Sequence, residues 1–446
     1  MFTPLGLAFV AVAAIAALRR RYEVALFAAM IAPIGSALIV AGQGVLVFYL
    51  VCAGACLGLL LRSVEGGTAI PHNEPGRRAL VFFAFWACFI SIAGPVIFSG
   101  TLVIPPMSVN ELGYRRPQPV ALGLSNFVQA AYVVLVVGCV LYLGGARKRL
   151  SPDLLGFGLA LVVGASFYRL LNIHFGLPWP DGFFDTTPGA RLIDSDESGN
   201  LRFRGVYSEP AGLAIGSVAA ITFFGMRLMA AGSSRRERII SCALIAMAFA
   251  NIASSTSTTA VIAGVLVGGL VLCVGLARML RGAKLSIPMA LILLAGVAVL
   301  VIVGPTLAGR GWAEVSGRVG DLSTSTRLGG NLRALHVFVD TFGLGVGLGG
   351  TQAFAIWATL LAGVGLLGTA AFALAVVQLV RAALPDPEMR PVVWALVAIL
   401  AGRMISGSSL TDPLVWLSIG LLANSSWRPR LETRHGETAL QVKVPS

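Results

Sequence analysis

Long apolar runs, separated by short polar connections, fill this chain from one end to the other. Each run is about 15 to 25 residues long, which is enough, or nearly enough, for a helix to cross about 30 Å of hydrocarbon. The pattern predicts an all-α polytopic membrane helix bundle of about 12 to 13 transmembrane helices, built as a single integral membrane domain over residues 1–446. The runs lie near residues 4–18, 22–41, 44–61, 79–98, 119–145, 154–173, 209–230, 239–254, 258–277, 286–307, 352–380, 391–408 and 412–425.

Basic residues mark alternate connections between these runs. Clusters of arginine and lysine lie at 19–21, 62–78, 147–149, 235–238, 278–284, 381–390 and in the tail over 427–446. The positive-inside rule places these clusters and the tail in the cytoplasm and the N-terminus outside. The connections 174–208 and 308–351 then form two long outer loops. They contain arginine but no lysine, and arginine is the side chain suited to bidentate binding of phosphate or carboxylate.

The composition agrees with a membrane protein and excludes several other classes. The chain is 57% hydrophobic and 12% charged, with a mean hydropathy of +0.85, far from the values of soluble domains. Its first apolar run precedes its basic cluster, the reverse of a cleaved signal. The net charge of +13 is spread over short connections, so we expect no nucleic-acid partner. All six cysteines lie in apolar runs, and we predict no metal site and no cofactor.

The first group of residues with possible chemistry is "RFRGVYSEPAGLA", residues 202–214. Pro210 is favoured in the first turn of a helix, so the next span should begin near Glu209, with Arg204 shortly before it. An ordinary structural interpretation is a carboxylate favoured by the helix dipole beside an interfacial arginine. Because that interpretation does not explain why these residues cluster, we predict a site at this position.

The second group lies in the outer loop, at 323–350, where an amphipathic segment runs into a glycine-rich turn. Arg327, Arg333 and His336 belong to the segment, and Gly345 and Gly347 to the turn. The glycines match G-x-G-x-x-G, but that fingerprint requires a strand inside a βαβ unit, which this chain lacks. We instead expect a re-entrant turn whose backbone N–H groups point at an anion. A solvated helix face is the alternative for the two arginines.

The third group consists of ionisable residues at membrane depth, which are usually paired or functional. Arg403 and Asp412 flank the short connection "SGSSLTD", and we expect them to pair with each other. Arg169 lies near the outer end of its helix, so we expect it to face the same cavity as Arg204. Glu23 is the remaining member of this group.

Taken in order, these stretches resemble the O-antigen ligase and polymerase superfamily of bacterial membrane glycosyltransferases. "RFRGVYSEPAGLA" is similar to the family's R-x-x-G-(aromatic)-x-E/N-P stretch, and the hydroxyl-rich "ASSTSTTA" at 253–260 follows it. "STRLGGNLRALHVFVDTFGLGVGLGG" and "AGVGLLGTAAF" resemble the family's long outer loop, its G-x-G turn and the next helix. The resemblance covers about residues 200–380.

The resemblance implies transfer of glycan from an undecaprenyl diphosphate-linked donor to an acceptor hydroxyl, at the outer face of the bacterial plasma (inner) membrane. Arg204 and Arg327 would hold the diphosphate, and Glu209 would orient Arg204 or accept the proton of the acceptor hydroxyl. These three are the catalytic candidates. His336 and the aspartates of the outer loops are the other candidates for the general base. The substrate-binding candidates are Arg169, Arg202, Arg333, His336, Gly345 and Gly347. The expected partners are the lipid-linked glycan, the bilayer and a flippase or chain-length regulator.

The chain departs from the family pattern at two places, and the first of them, a missing histidine, weakens the assignment as a ligase. Ligases of the family usually carry a histidine just before the helix that follows the glycine turn, where this chain has Phe354; His336 precedes the turn. The family's serine-arginine in the hydroxyl-rich turn is replaced by Ser257 and Thr258. We therefore prefer a polysaccharide polymerase, with an O-antigen ligase as the alternative. A transporter or flippase of lipid-linked oligosaccharide is a third possibility, although we find no internal repeat of the transporter kind.

Overall fold

Helices make up most of the computed structural model. It describes residues 1–40, 43–64, 74–105, 117–188, 202–229, 234–255, 322–410 and 412–441, with a few positions between 257 and 269. The helices in these ranges are α1 (Pro4–Leu18), α2 (Tyr22–Ala28), α3 (Val47–Val64), α4 (Arg77–Ile97), α5 (Leu124–Gly144), α6 (Asp153–Phe175), α7 (Asp181–Phe184), α8 (Pro210–Leu228), α9 (Arg235–Ser255), α10 (Leu322–Asp340), α11 (Ile356–Ala383), α12 (Arg390–Ile405) and α13 (Pro413–Gln441). The strands are β1 (Ser36–Val40), β2 (Gln43–Leu46), β3 (Leu102–Val103) and β4 (Gln118–Pro119).

Seven of the described helices, α3, α4, α5, α6, α8, α9 and α11, are long and apolar enough to cross a membrane. This confirms the predicted polytopic helical bundle. The helices predicted over 258–277 and 286–307 fall largely or wholly outside the described residues, as does the first part of the loop predicted over 308–351. The total number of spans therefore stays a prediction.

The helix predicted over 22–41 is wrong. Helix α2 and a short 3-10 turn, Ala29–Ile31, end before Pro33, and the chain then forms an antiparallel hairpin of β1 and β2. Proline has no N–H to continue a helix and disfavours helical dihedrals in the preceding residue. Ala32 accordingly has φ −124° and ψ 65°. The next helix begins at Val47 instead of 44.

Helix α11 is interrupted at Gly365, whose φ of 66° and ψ of −168° are not helical. The regular hydrogen bonding of the helix is broken at this residue. A break of this kind exposes carbonyl groups that lipid cannot satisfy, so other parts of the protein must bond to them. Backbone N–H groups of Val346 and Gly347 donate to the carbonyls of Ala362 and Gly363, at 2.8 and 2.9 Å. The glycine-rich turn therefore closes one side of the break.

The other side of the break is closed by a side chain and by the same turn. The indole N–H of Trp86, in α4, donates to the carbonyl of Val364 at 2.7 Å. The N–H of Leu366 donates to the carbonyl of Gly343 at 2.8 Å. Helix α11 thus crosses the bundle as two halves that α4 and the glycine turn hold together.

Two of the connections that bear basic clusters, 147–149 and 381–390, meet at one end of the bundle. The Arg149 guanidinium pairs there with the carboxylates of Asp386 and Glu388. At the same end, the indole of Trp427 donates to the carbonyl of Pro75 at 2.8 Å. Helix α13 continues to Gln441, so the tail predicted over 427–446 is helical for most of its length.

Candidate functional site

The opposite end of the bundle holds most of the charged residues that the sequence singled out, although Glu23 lies elsewhere, in the first turn of α2. Helix α8 begins at Pro210, and Glu209 is its extended N-cap residue, with φ −145° and ψ 154°. This confirms the predicted start of the helix. The carboxylate makes no capping hydrogen bond to the first turn. It instead accepts a hydrogen bond from the Arg327 guanidinium, with Oε2 3.1 Å from Nη2.

Arg327 reaches this position from α10, a helix that lies far away in the sequence. Its second terminal nitrogen, Nη1, donates to the hydroxyl oxygen of Ser406 at 2.6 Å. The side chains of Arg327 and Glu209 are 31% and 28% exposed, so the pair can be reached from outside the protein. Ser406 directly follows α12, as its C-cap residue, and is buried. The sequence did not predict Ser406 as a site residue, because one serine in a serine-rich connection has no distinctive pattern.

Asn331 is a second residue that the sequence did not predict, and its side chain joins α10 to the segment that leads into α11. Its Oδ1 accepts hydrogen bonds from the backbone N–H groups of Phe354, at 2.9 Å, and Ala355, at 3.1 Å. These N–H groups lie at the start of α11, where a helix has no internal acceptors for them. Asn331 therefore ties the helix that carries Arg327 to the N-terminus of α11.

Arg204 lies in a different environment, with only 2% of its surface exposed. Its two terminal nitrogens contact the two carboxylate oxygens of Asp185, at 3.2 and 2.6 Å. Nη1 also donates to the carbonyl of Tyr207 at 2.8 Å. Of the two roles expected for Glu209, orientation of Arg204 is therefore performed by Asp185 instead, while Glu209 pairs with Arg327.

Arg169 joins the same buried cluster, as its position near the end of α6 predicted. Its Nη1 donates to the carbonyl of Gly205 at 2.7 Å, and its Nη2 lies 3.5 Å from Asp185 Oδ2. The guanidinium also stacks near the Trp179 ring, 5.7 Å from its centroid. Arg169, Asp185 and Arg204 therefore form one network, which we call the buried cluster.

The predicted pair of Arg403 and Asp412 is confirmed, and both side chains are buried. The second carboxylate oxygen of Asp412 accepts a hydrogen bond from the N–H of Leu414 at 2.9 Å. The charges of this pair act on the nearby Tyr207 phenol. Burial raises the pKa of the Tyr207 phenol, the Asp412 charge raises it further, and the Arg403 charge opposes the rise. The phenol therefore stays neutral at ordinary pH.

Two further candidates on α10 do not meet Arg327. Arg333 follows it by about one and two-thirds helical turns and His336 by about two and a half, so both project from other faces of the helix. Arg333 donates to the carbonyl of Leu102 at 3.1 and 2.7 Å. His336 is exposed. The structure thus separates both residues from the Glu209–Arg327 pair.

The glycine turn also differs from its expected role. Gly345 and Gly347 have φ values of +84° and +87°, which only glycine adopts without strain. Their N–H groups, however, donate to protein acceptors: the Thr341 hydroxyl at 3.0 Å and the Gly363 carbonyl at 2.9 Å. The expectation that these groups point at an anion is therefore wrong for this geometry. The turn packs against α4 and α11 instead.

The remaining candidates from the sequence lie away from the Glu209–Arg327 pair or make local structural contacts. Arg202 is half-buried at the start of the segment that leads to α8. In the hydroxyl-rich stretch, Ser255, Ser257 and Thr259 are buried, and Ser255 donates to the carbonyl of Ile252. Among the residues that the structure describes, no three histidine, cysteine, aspartate or glutamate side chains form a group that could hold a metal ion.

Comparison of the chain with models of protein families gives no match, and comparison with curated proteins gives no match either. The chemistry of the site is therefore inferred from its own residues. Those residues form two groups: a partly exposed ion pair, Glu209–Arg327, and the buried cluster, whose Arg204 precedes Glu209 by five residues.

Proposed function

We propose that this protein is a membrane glycosyltransferase that polymerises polysaccharide. The donor is glycan linked to undecaprenyl diphosphate, and the acceptor is a sugar hydroxyl, at the outer face of a bacterial plasma membrane. The observation that carries the proposal is the half-exposed Glu209–Arg327 pair, which Ser406 flanks. It puts an anion-binding guanidinium and a proton-accepting carboxylate at the same point of a membrane helix bundle.

Arg327 has the chemistry that the donor's leaving group requires. A diphosphate leaves as an anion, and a preorganised guanidinium in a water-poor site stabilises the charge that develops as the glycosidic bond breaks. Ser406 fixes one edge of that guanidinium through its hydroxyl. The other edge is held by Glu209, a ligand that a phosphate oxygen can replace because both are oxygen anions.

Glu209 has the chemistry that the acceptor requires. Once phosphate oxygens replace it on Arg327, its carboxylate is available to accept a proton. The acceptor oxygen then forms a bond to the anomeric carbon of the donor, its proton passes to Glu209, and the bond from that carbon to the diphosphate oxygen breaks. The Arg327 guanidinium supplies the positive charge for this step, and we propose no metal or cofactor.

The same placement accommodates the partners that the resemblance implies. A polyprenyl chain would lie in the bilayer around the apolar helices, with its diphosphate at the level of the pair. We further propose that a flippase delivers the donor to this face and that a chain-length regulator contacts the same end of the bundle.

Purified protein in liposomes that contain a lipid-linked repeat unit tests the proposal. Wild type should produce long glycans. Arg327→Ala should lower the rate by about 10²- to 10³-fold, the usual effect of removing a group that stabilises transition-state charge. Glu209→Gln, which keeps the shape and removes the base, should lower it by about 10²- to 10⁴-fold. Arg333→Ala, on another face of the same helix, is the matched control and should retain activity.

The outcomes separate the alternatives. Undiminished glycan synthesis by the variants of Arg327 and Glu209 would show that the site is placed wrongly. Transfer of preformed polysaccharide to a second acceptor, without chain growth, would replace the polymerase with a ligase. Movement of the lipid-linked unit across the bilayer without any new glycosidic bond would replace both with a transporter.

A further inference from the structure

The geometry points to Asp185 as a positioning residue of this site: it fixes the turn that presents Glu209, and the N-terminal hairpin in turn holds Asp185 in place. No motif singled out this aspartate. It directly follows α7, in a connection with several other acidic residues. Its effect on catalysis rests on the proposed function, whereas its effect on the turn does not.

Asp185 is the carboxylate that two buried arginines share. One oxygen lies 3.2 Å from Arg204 Nη1, and the other lies 2.6 Å from Arg204 Nη2 and 3.5 Å from Arg169 Nη2. The Asp185 side chain is 11% exposed and that of Arg204 2%. Charges removed from water to this extent need close partners, so loss of Asp185 would leave two guanidinium groups with weakened compensation.

Both arginines also donate hydrogen bonds to one short turn. Arg204 donates to the carbonyl of Tyr207 and Arg169 to that of Gly205, at 2.8 and 2.7 Å. The N–H of Tyr207 donates to the Arg204 carbonyl at 3.1 Å, which closes the turn. Glu209 follows two residues later. Asp185 therefore acts on Glu209 through the guanidinium groups that hold the turn.

The two residues that follow Asp185 in the sequence set its position. The Thr186 hydroxyl accepts from the N–H of Ser36 at 2.9 Å and donates to the Ser36 carbonyl at 3.2 Å. The Thr187 hydroxyl lies 2.7 Å from that of Ser36 and also donates to the carbonyl of Ile34. These bonds fasten the segment to the start of the β1–β2 hairpin. The hairpin that replaces the predicted second helix thus reaches the site.

Two measurements on Asp185→Asn test the inference. The first is hydrogen–deuterium exchange of purified protein. Exchange in 203–209 should rise by roughly tenfold or more, because hydrogen bonds to charged groups are lost there, while exchange in α11 stays unchanged. The second is steady-state kinetics of glycan synthesis. The variant should lose on the order of a hundredfold in kcat, with little change in KM, because a displaced Glu209 affects the transition state more than binding.

Matched variants keep the test specific. Asp181→Asn removes a carboxylate of α7, one that is 69% exposed and 3.5 Å from Arg169, and should leave both measurements at wild-type values. Asp185→Glu keeps the charge and should recover part of the lost kcat. Thr186→Val keeps the aspartate but removes its tether, and should raise exchange in 203–209 less than Asp185→Asn does.

The results that overturn the inference are distinct from those that overturn the proposed function. Unchanged exchange in 203–209 of Asp185→Asn rejects Asp185 as a positioning residue, whatever the enzyme does. Raised exchange with a wild-type kcat rejects its link to catalysis. If the wild type makes no glycan, the proposed function fails, and the exchange experiment still decides the role of Asp185 in the turn.

Discussion

Arg204 and Arg327 should respond differently to the same substitution, although sequence reasoning treats them as equivalent diphosphate ligands. Replacement of either by alanine removes one partner of an ion pair. Arg204 is 2% exposed and its partner Asp185 is 11% exposed, whereas Arg327 and Glu209 are 31% and 28% exposed. The two pairs therefore differ in how much water is available to the charge that remains.

The expected magnitudes follow from this difference. Removing one partner of a buried pair typically costs about 3–5 kcal/mol, because the charge that remains loses its close partner. In Arg204→Ala, Asp185 keeps the more distant Arg169, whose Nη2 lies 3.5 Å away. Arg204 also donates to the Tyr207 carbonyl, which loses a charged hydrogen bond in the variant. A pair with substantial access to water contributes less than about 1 kcal/mol. We thus expect Arg204→Ala to be destabilised severely and Arg327→Ala to stay close to wild type.

Thermal denaturation in detergent, followed by the amount of monodisperse protein left after heating, measures the difference. Arg204→Ala should show a lower apparent Tm by many degrees and poor yield, and Arg327→Ala an apparent Tm near that of wild type with little activity. Arg204→Lys keeps the charge but not the two-pronged geometry, and should fall between. Equal shifts for the two alanine variants would refute the reasoning from burial.

Two other perturbations test the packing of the site end. Gly347→Ala places a methyl group 2.6 Å from the Cα of Ser91 at a φ of +87°. The left-handed conformation costs about 1–2 kcal/mol and the overpacking about 1–3 kcal/mol, so the apparent Tm should fall clearly. An unchanged apparent Tm would contradict the described turn. Asp412→Asn leaves buried Arg403 without its counter-ion and should lower the free energy of unfolding by about 3–5 kcal/mol. Asp386→Asn, in a more exposed pair, should lower it by less than about 1 kcal/mol. Comparison of the melting curves of the two variants checks this ordering.

The features that sequence predicts correctly depend on residues close together in the chain. A run of apolar residues is long enough to span lipid whatever packs against it, so the helix bundle follows from length and hydropathy. Pro210 predicts the start of α8 through its own dihedral angle. Arg403 and Asp412 are nine residues apart, and the short connection between them leaves few other partners.

The features that it misses depend on which distant segments meet. Arg204 lies five residues from Glu209 but pairs with Asp185, nineteen residues away. Glu209 pairs with Arg327, 118 residues away. No local pattern distinguishes these partners, because the two long connections, 174–208 and 308–351, both contain several arginines and carboxylates. Pro33 indicates the end of a helix before the β1–β2 hairpin. The sequence nevertheless predicted one helix over 22–41, because the whole run is apolar.

The break in α11 has a consequence for how the protein is made. Each group that satisfies it, the Trp86 indole and the backbone of 343–347, precedes residues 362–366 in the chain. During synthesis from the N-terminus, all these partners leave the ribosome before the broken segment does. The least lipid-compatible stretch of backbone in α11 therefore enters the membrane when its hydrogen-bond partners have already been synthesised. The order of segments along the gene thus suits co-translational insertion of a helix that lipid alone would not tolerate.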